Sequence, residues 1–127
     1  MRDSLTFDFC DITIYDNYII VVMKEGMNIT PDYNDILVGI TNKYFPKQSF
    51  VYITHRIHSY SVDPKIYFET AKIKNLKGFA VVSGKYQAKV NAQIEQMFFA
   101  KPFEIFTNLD DAISWANELV ETDLTNH

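Results

Sequence analysis

The segment YIIVVMKEG, Tyr18 to Gly26, opens with apolar residues at consecutive positions rather than at alternating ones. A strand that faces water on one side alternates, so this continuous run predicts a strand covered on both faces. The preceding segment, Thr6–Asp16, alternates apolar and polar residues, with a slip around Cys10–Asp11, and leads into a turn at Asp16–Asn17. Together the two segments predict a hairpin whose second strand lies inside a larger sheet.

Helical patterns then alternate with three further strand-like segments. Helices are predicted where a cap or a proline precedes an apolar stripe, and strands where short apolar runs lie between turn residues. The helices are expected from Thr30 to Phe45, from Pro64 to about Asn75, from about Ala88 to Phe99, and after a cap at Thr107 or Asn108; the strands are Ser49–Thr54, Gly78–Gly84 and Phe103–Phe106. The order β-β-α-β-α-β-α-β-α predicts an α/β fold with a mostly parallel mixed sheet and helices packed on it. We expect a single domain over 1–127, with a frayed tail from about 122.

Two of the predicted helices differ in how their apolar residues are distributed. The third helix carries one stripe, Val90, Ile94, Met97 and Phe98, which we expect to face the core. The second helix has apolar side chains most of the way round, which is typical of a helix that is either sandwiched within the fold or partly covered by another chain. Ile66 and Tyr67 are therefore candidate interface residues for self-association as a homodimer.

Composition excludes several classes of function. A length of 127 residues, 47% of them hydrophobic, suffices for one core, and the net charge of −4 argues against a nucleic-acid partner or anionic lipid. No apolar run approaches the roughly 20 residues that span a bilayer, so no membrane insertion is expected. The N-terminus lacks the apolar core of a signal peptide, and the single cysteine, Cys10, fits a buried hydrophobe in a cytoplasmic protein.

Cofactor and metal motifs are weak or lacking in the sequence. No glycine-rich nucleotide-binding motif is present, and no cofactor is predicted. Ser83, Gly84 and Lys85 lie between a strand and a helix start, which is a weak candidate anion site, although strand punctuation explains them as well. His55 and His58 form H-x-x-H, but zinc needs three or four ligands and the third histidine, His127, is in the tail, so no metal site is predicted.

The segment VYITHRIHSYSVDP, Val51 to Pro64, concentrates the reactive side chains of the chain. The candidates for a contact or switch loop are His55, Arg56, His58, Ser59, Tyr60, Ser61 and Asp63. Catalytic triads are assembled from distant segments, so neighbours on one loop do not predict a hydrolase, and no catalytic residue is assigned. Ser61 precedes the presumed helix cap Asp63 by two residues, so a phosphate on Ser61 or Ser59 would lie near a positive helix end, with Arg56 in reach. The alternative is that both serines bond loop backbone groups.

With these elements in place, the chain resembles the SpoIIAA-like (STAS, or STAS/SEC14-type) domains. The resemblance is carried by the order of elements, by FVYITHRIHSYSVDPKIYFETAKI at the family's third strand, loop and second helix, and by GFAVVSG with MFFAKPFEIFTNLDDAISWANEL at the end. The resemblance implies a bacterial regulatory protein without catalysis that binds partner proteins. In the classical antagonists of this family a serine at the start of the second helix is phosphorylated, and Ser61 falls at that position. The family's Asp-Ser-Ser-Gly reads Tyr60-Ser61-Val62-Asp63 here, which marks a diverged member.

Two hypotheses follow, and a third is kept as a contrast. The first is a regulatory or protein-interaction module that contacts an unknown protein or a second copy through the loop and the second helix, with Ser61 as a switch. The alternative is a carrier of a small apolar molecule or lipid, as the SEC14-type label implies, which predicts a closed apolar cavity of several hundred Å³. An enzyme would instead need His55 or His58 to meet an acid from another segment in a concave site.

Overall fold

A six-stranded sheet forms the centre of the fold in the computed structural model, which describes residues 1–125. The strands are β1 (Asp3–Thr6), β2 (Cys10–Ile14), β3 (Tyr18–Met23), β4 (Asn28–Ile29), β5 (Phe50–His55), β6 (Ser61–Val62), β7 (Leu76–Val82) and β8 (Phe103–Phe106). The helices are α1 (Tyr33–Tyr44), α2 (Ile66–Thr70), α3 (Tyr86–Gln96) and α4 (Leu109–Thr125). The sheet order is β1-β2-β3-β5-β7-β8, and β4 pairs with β6 in a second, two-stranded sheet.

The sheet is mixed, as its sequence pattern predicts. The strands β1, β2 and β3 pair antiparallel, whereas β3, β5, β7 and β8 pair parallel. Each parallel connection passes through one helix, and the core places α1, α2 and α3 on one face of the sheet and α4 on the other. The predicted α/β fold is confirmed. The carboxyl ends of the parallel strands β3, β5 and β7 lie together at one edge of the sheet.

Stacked aromatic rings hold the face that α1, α2 and α3 cover. The rings of Tyr52, Phe79 and Phe103 lie on three neighbouring strands, with centroids 4.5 and 5.2 Å apart and nearly parallel planes. Tyr67 of α2 meets Phe79 edge-on at 5.2 Å. Offset and edge-on pairs of this kind add roughly 0.5–1.5 kcal/mol each beyond the burial of their area. Tyr67 is thus fixed in the core of this layer.

Small residues bring α4 close to the opposite face. Its buried positions Ala112, Ala116 and Val120 pack on Val51, Ile53, Ala80 and Val82 of the sheet. These three positions are spaced four residues apart and therefore lie on one face of α4. The helix continues to Thr125, past the predicted start of fraying, and residues 126–127 of the predicted tail lie outside the described residues.

Local pairing makes the amino-terminal half more complex than the sequence predicts. Of the predicted strand Thr6–Asp16, only Cys10–Ile14 forms a strand, apart from Thr6 at the end of the preceding β1; Phe7 N–H donates to the Cys10 carbonyl at 2.8 Å in the turn between the two strands. The strands β4 and β6 are additional, and two-residue strands of mixed polarity leave no periodic signal in a sequence. Cys10 is fully buried, which raises the pKa of its thiol to about 12 and agrees with its predicted structural role.

The second and third helices differ from their predicted forms. The second helix covers only Ile66–Thr70, and β7 begins earlier than predicted, at Leu76. In α3 the predicted core stripe is wrong, because Ile94 and Met97 are exposed whereas Ala92 and Glu95 are buried. No helix within residues 1–125 combines the length and apolar character needed to cross a bilayer.

A substitution at Gly78 tests how closely α4 packs against β7. A Cβ at this position would lie 2.5 Å from Leu119 Cδ2 and 2.9 Å from Trp115 Cη2. We expect Gly78→Ala to lower the free energy of unfolding by about 1–3 kcal/mol, because both side chains must shift from their packed positions. Urea denaturation measures the change.

Gly39 in α1 provides the matched control, because a Cβ there meets nothing within 4 Å. Gly39→Ala should raise stability by about 0.5–1 kcal/mol through helix propensity. Equal effects of the two substitutions would contradict the packing described here.

Candidate interaction site

A buried ion pair anchors the loop that follows β5. Arg56 Nη1 donates to Glu95 Oε2 at 2.9 Å, and Nη2 donates to the other carboxylate oxygen. The side chains are only 7% and 6% exposed. Tyr67 also donates its hydroxyl proton to Glu95 Oε1, so the carboxylate joins β5, α2 and α3. The fork geometry of arginine suits this bidentate contact, and its charge-assisted bonds are among the strongest in proteins.

Tyr60 closes the network from the far end of the loop. Arg56 Nε donates to the Tyr60 hydroxyl at 3.2 Å, and that hydroxyl also lies 2.9 Å from Thr54 Oγ1. The guanidinium carbon lies 5.5 Å from the centre of the Tyr60 ring, within the range of a cation–π contact. The loop thus leaves β5 and returns to β6 with both of its ends tied to one buried cluster.

Electrostatics keeps Arg56 charged and Tyr67 protonated. Burial by itself lowers the pKa of the Arg56 guanidinium. Nearby Tyr60 and the hydrogen bond to Glu95 raise this pKa by more than burial lowers it, so the net pKa lies above the ordinary value. Burial and the adjacent Glu95 carboxylate raise the pKa of Tyr67 well above its ordinary value. The phenol therefore stays protonated and remains a donor to Glu95 throughout the neutral range.

Three consecutive residues between the anchors face solvent and form the loop tip, Ile57–Ser59. Ile57, the apolar residue of the tip, is 49% exposed. The tip is also tied to the segment after β3, since Ser59 N–H donates to Glu25 Oε2 at 3.0 Å and Gly26 N–H donates to the Ser59 carbonyl at 2.8 Å. Gly26 has a φ of 75°, which other residues seldom adopt. The loop tip is therefore exposed to solvent and held in place by these hydrogen bonds.

The two histidines of the predicted contact loop differ in their surroundings. His55 ends β5 half-buried, whereas His58 lies on the tip with Nδ1 3.7 Å from Glu25 Oε2. This pair is exposed, so it contributes little. Among residues 1–125 no group of three His, Cys, Asp or Glu side chains could hold a metal ion. His127 lies outside the described residues.

Ser61 is exposed, but its surroundings differ from the prediction. It lies in β6, where its N–H donates to the Met27 carbonyl at 2.8 Å. The helix begins only at Ile66 and has five residues, so no helix end receives a phosphate at Ser61. Asp63 is not its cap; Asp63 Oδ1 instead accepts from Lys65 N–H at 3.1 Å in the preceding turn. Arg56, the predicted phosphate partner, is already paired with Glu95.

The predicted interface helix is also reassigned. The side chains of Ile66 and Tyr67 are buried in the core, so they offer no contact surface in this structure. The helix looked apolar all round because its inner face enters the core while Phe68 remains exposed on the outside. Phe68, the exposed aromatic residue of α2, was not among the candidate interface residues.

Ser83, Gly84 and Lys85 form the turn into α3. The Ser83 hydroxyl accepts from Lys85 N–H at 3.1 Å, and Ser83 N–H donates to the Phe106 carbonyl at 3.0 Å. Ser83 is buried, while Gly84 and Lys85 are exposed. The hydroxyl is therefore engaged within the turn, and anion binding here stays a prediction.

Glu95 is the functional residue that the sequence argument missed. The signal was present, because Glu95 is the sole acid of α3 and Arg56 is one of only two arginines in the chain, placed directly after a buried strand. A helix with one acid on the face opposite its apolar stripe reads as an ordinary surface helix. Only the folded structure, in which Arg56 lies against Glu95, shows that this face of α3 is buried.

Beside the cluster lies a small pocket of about 20 Å³, lined by Tyr33, Tyr52, Thr54, Tyr60 and Tyr67 with apolar side chains that include those of β3, β4 and β6. The Tyr33 and Tyr52 hydroxyls lie 3.1 Å apart, and every buried side-chain nitrogen or oxygen of the described residues has a hydrogen-bond partner. Such a volume holds about one water molecule. It is an order of magnitude smaller than the carrier hypothesis requires.

A solved structure shares this architecture. It is an uncharacterized protein of the DUF3478 family with a SpoIIAA-like fold from Shewanella loihica PV-4, which aligns with a TM-score of 0.54 at 14% identity over 84% of this chain and 91% of that one. This chain therefore has a SpoIIAA-like fold, as the resemblance implied. No protein-family model matches the sequence, and no curated protein matches it either.

The ion pair makes a direct prediction for stability. Glu95→Gln should lower the free energy of unfolding by about 3–5 kcal/mol, because the buried Arg56 charge loses its counterion. The double substitution Arg56→Met with Glu95→Leu should recover most of that loss, since it removes both charges together. Urea denaturation of the two variants measures this, and a single variant as stable as the original chain would refute the buried pair.

Alkaline pH provides a second test through Tyr67. The pKa of Tyr67 is raised in the folded state, so its contribution is complete below the unfolded value of about 10 and is lost as pH rises above it. Tyr67→Phe should be less stable than the original chain at pH 8, and the gap should narrow above about pH 10 by at most about 1.4 kcal/mol per pH unit. Guanidinium titrations at several pH values measure the gap. A gap that is constant up to pH 11 would contradict this assignment.

Proposed function

We propose that this chain is a non-catalytic protein-interaction module that contacts its partner through the loop tip Ile57–Ser59. The observation that carries the proposal is three consecutive exposed residues between two inward-facing anchors, Arg56 and Tyr60. An exposed isoleucine at a fixed loop tip is suited to enter an apolar pocket on another protein.

The cost of the buried ion pair supports an interaction role. Burying two charges is expensive, and apolar residues of similar size often give equal or greater stability. What the pair provides is a fixed loop geometry, because Arg56 and Glu95 join β5 to α3. A loop already held in one conformation loses less entropy on binding, which raises affinity.

The same contacts support the absence of catalysis. Arg56, Glu95 and Tyr67 use their polar atoms on one another and are nearly closed to solvent. Groups with this arrangement hold structure, whereas a catalytic group needs access to a substrate. The proposal places the protein in the cytoplasm, on the grounds of its single buried cysteine.

Ser61 is the proposed switch residue of this module. Its side chain lines a groove of about 270 Å³ between β6 and α3, next to Arg56, Asn91 and Glu95. A phosphate there would compete with Glu95 for the guanidinium, which would weaken an anchor of the loop. This route differs from the helix-end mechanism of the classical antagonists.

A carrier of an apolar molecule is the second candidate. The observation in its favour is that the small pocket is covered in part by Ile29 of β4 and Val62 of β6, two strands of only two residues each. Displacement of this short sheet would enlarge the pocket. A co-purified apolar molecule, found by native mass spectrometry, would move the assignment to this candidate.

The loop tip has a matched test. Ile57→Asp should abolish capture of a stoichiometric partner from lysate of the source organism, because a carboxylate cannot enter an apolar pocket. Val38→Asp makes the same kind of change at an exposed position on α1 and should leave capture intact. Mass spectrometry identifies the captured protein and any phosphopeptide that contains Ser59 or Ser61. Equal capture by both variants would refute the role of the tip.

A further inference from the structure

The outer face of α3 carries an apolar stripe that is largely exposed to solvent. Tyr86, Val90, Ile94 and Met97 recur at intervals of four, four and three residues, which places them on one side of the helix. Tyr86 and Met97 are 81% and 82% exposed, Ile94 is exposed and Val90 is half-buried. We call these four residues the α3 stripe.

The ion pair determines which face of α3 is turned outward. The inner face consists of Ala92 and Glu95, with Phe99 just beyond the helix, and Glu95 bonds Arg56 and Tyr67. Rotating the helix to bury the stripe would expose Glu95 and leave a buried guanidinium unpaired, at a cost of several kcal/mol. The exposure of the stripe is therefore built into the fold.

The stripe continues onto the neighbouring helix. Phe68 of α2 is exposed and meets Phe98 edge-on with ring centroids 5.4 Å apart. The stripe, Phe68 and Phe98 together form the α2–α3 patch. Four of these six side chains are exposed, namely Phe68, Tyr86, Ile94 and Met97, and neighbouring exposed apolar side chains are typical of an interaction site.

The exposed charges of the α3 segment are basic, although the chain has a net charge of −4. Lys85 and Lys89 flank the stripe, and the one acid of α3, Glu95, is buried against Arg56. On α2, Glu69 is already paired with Lys72. The α3 side of the patch thus presents the exposed Lys85 and the half-buried Lys89, with no exposed acid on the same helix.

We propose that the α2–α3 patch docks an acidic amphipathic helix of a partner protein. Such a helix would place apolar side chains at helical spacing against Ile94, Met97 and Phe68, and its Asp and Glu side chains beside Lys85 and Lys89. A second copy fits less well, because its α3 brings the same lysines and no exposed acid. The inference rests on the proposed interaction function and names the chemistry of the partner.

Selection from a random peptide library displayed on phage, against the full chain, tests this directly. The enriched peptides should be acidic, with apolar residues at helical spacing. Ile94→Asp should weaken a selected peptide about tenfold or more in fluorescence polarisation, whereas Val38→Asp should change affinity less than twofold. Binding should weaken as salt rises from about 50 to about 500 mM. Circular dichroism and urea titration check that both variants are folded.

The other outcomes overturn the proposal in distinct ways. No enrichment, a neutral or basic consensus, or a peptide that binds Ile94→Asp unchanged would each refute the acidic helix. A peptide lost in Ile57→Asp but kept in Ile94→Asp would leave the proposed function standing and refute the patch alone. A dimer in light scattering that dissociates in Ile94→Asp would assign the patch to a second copy.

Discussion

The rest of the structure depends on the ion pair between Arg56 and Glu95. It lies at the carboxyl edge of the sheet, where parallel strands of α/β folds usually present their functional groups. Here that position is filled by a contact within the chain. The pair joins the strand β5 to the helix α3, and through Tyr67 it also holds α2. One contact thus sets the relation of three elements and the loop between them.

Two surfaces follow from this one contact. Arg56 and Tyr60 fix both ends of the loop, so the tip between them is exposed and held. Glu95 turns the inner face of α3 toward the sheet, so the apolar residues of that helix face outward. The two surfaces are neighbours, since Asn91 lines grooves that also contain Tyr60 and, on one side, Ser59. A partner that engages one surface lies within reach of the other.

The sequence predicts the fold well because its signals are local. The apolar run of β3, the caps and prolines at the helix starts and the short strand Phe103–Phe106 are each recognised within a few residues. The site was predicted less well, since it depends on one pairing across 39 positions between Arg56 and Glu95. Helical spacing alone placed Ile94 and Met97 inside, because a stripe is buried by default. The burial of Glu95 instead turns Ile94 and Met97 outward, and no local sequence pattern predicts that an acid is buried.

The position of Ser61 illustrates the same limit. Its place in the chain matches the family pattern, yet a two-residue strand and a short helix remove the helix end that the pattern implies. Short elements are set by their neighbours, here β4 and the segment after β3, and carry little information of their own.

The claim that the ion pair holds the loop is tested most directly by amide hydrogen exchange. The readouts are the N–H groups of Gly26, Ser61 and Asp63, which bond across the loop, in the original chain and in the double variant Arg56→Met with Glu95→Leu. The account predicts faster exchange at these three amides, with the amides of β5 and β7 unchanged. Equal protection of the loop in both proteins would contradict it.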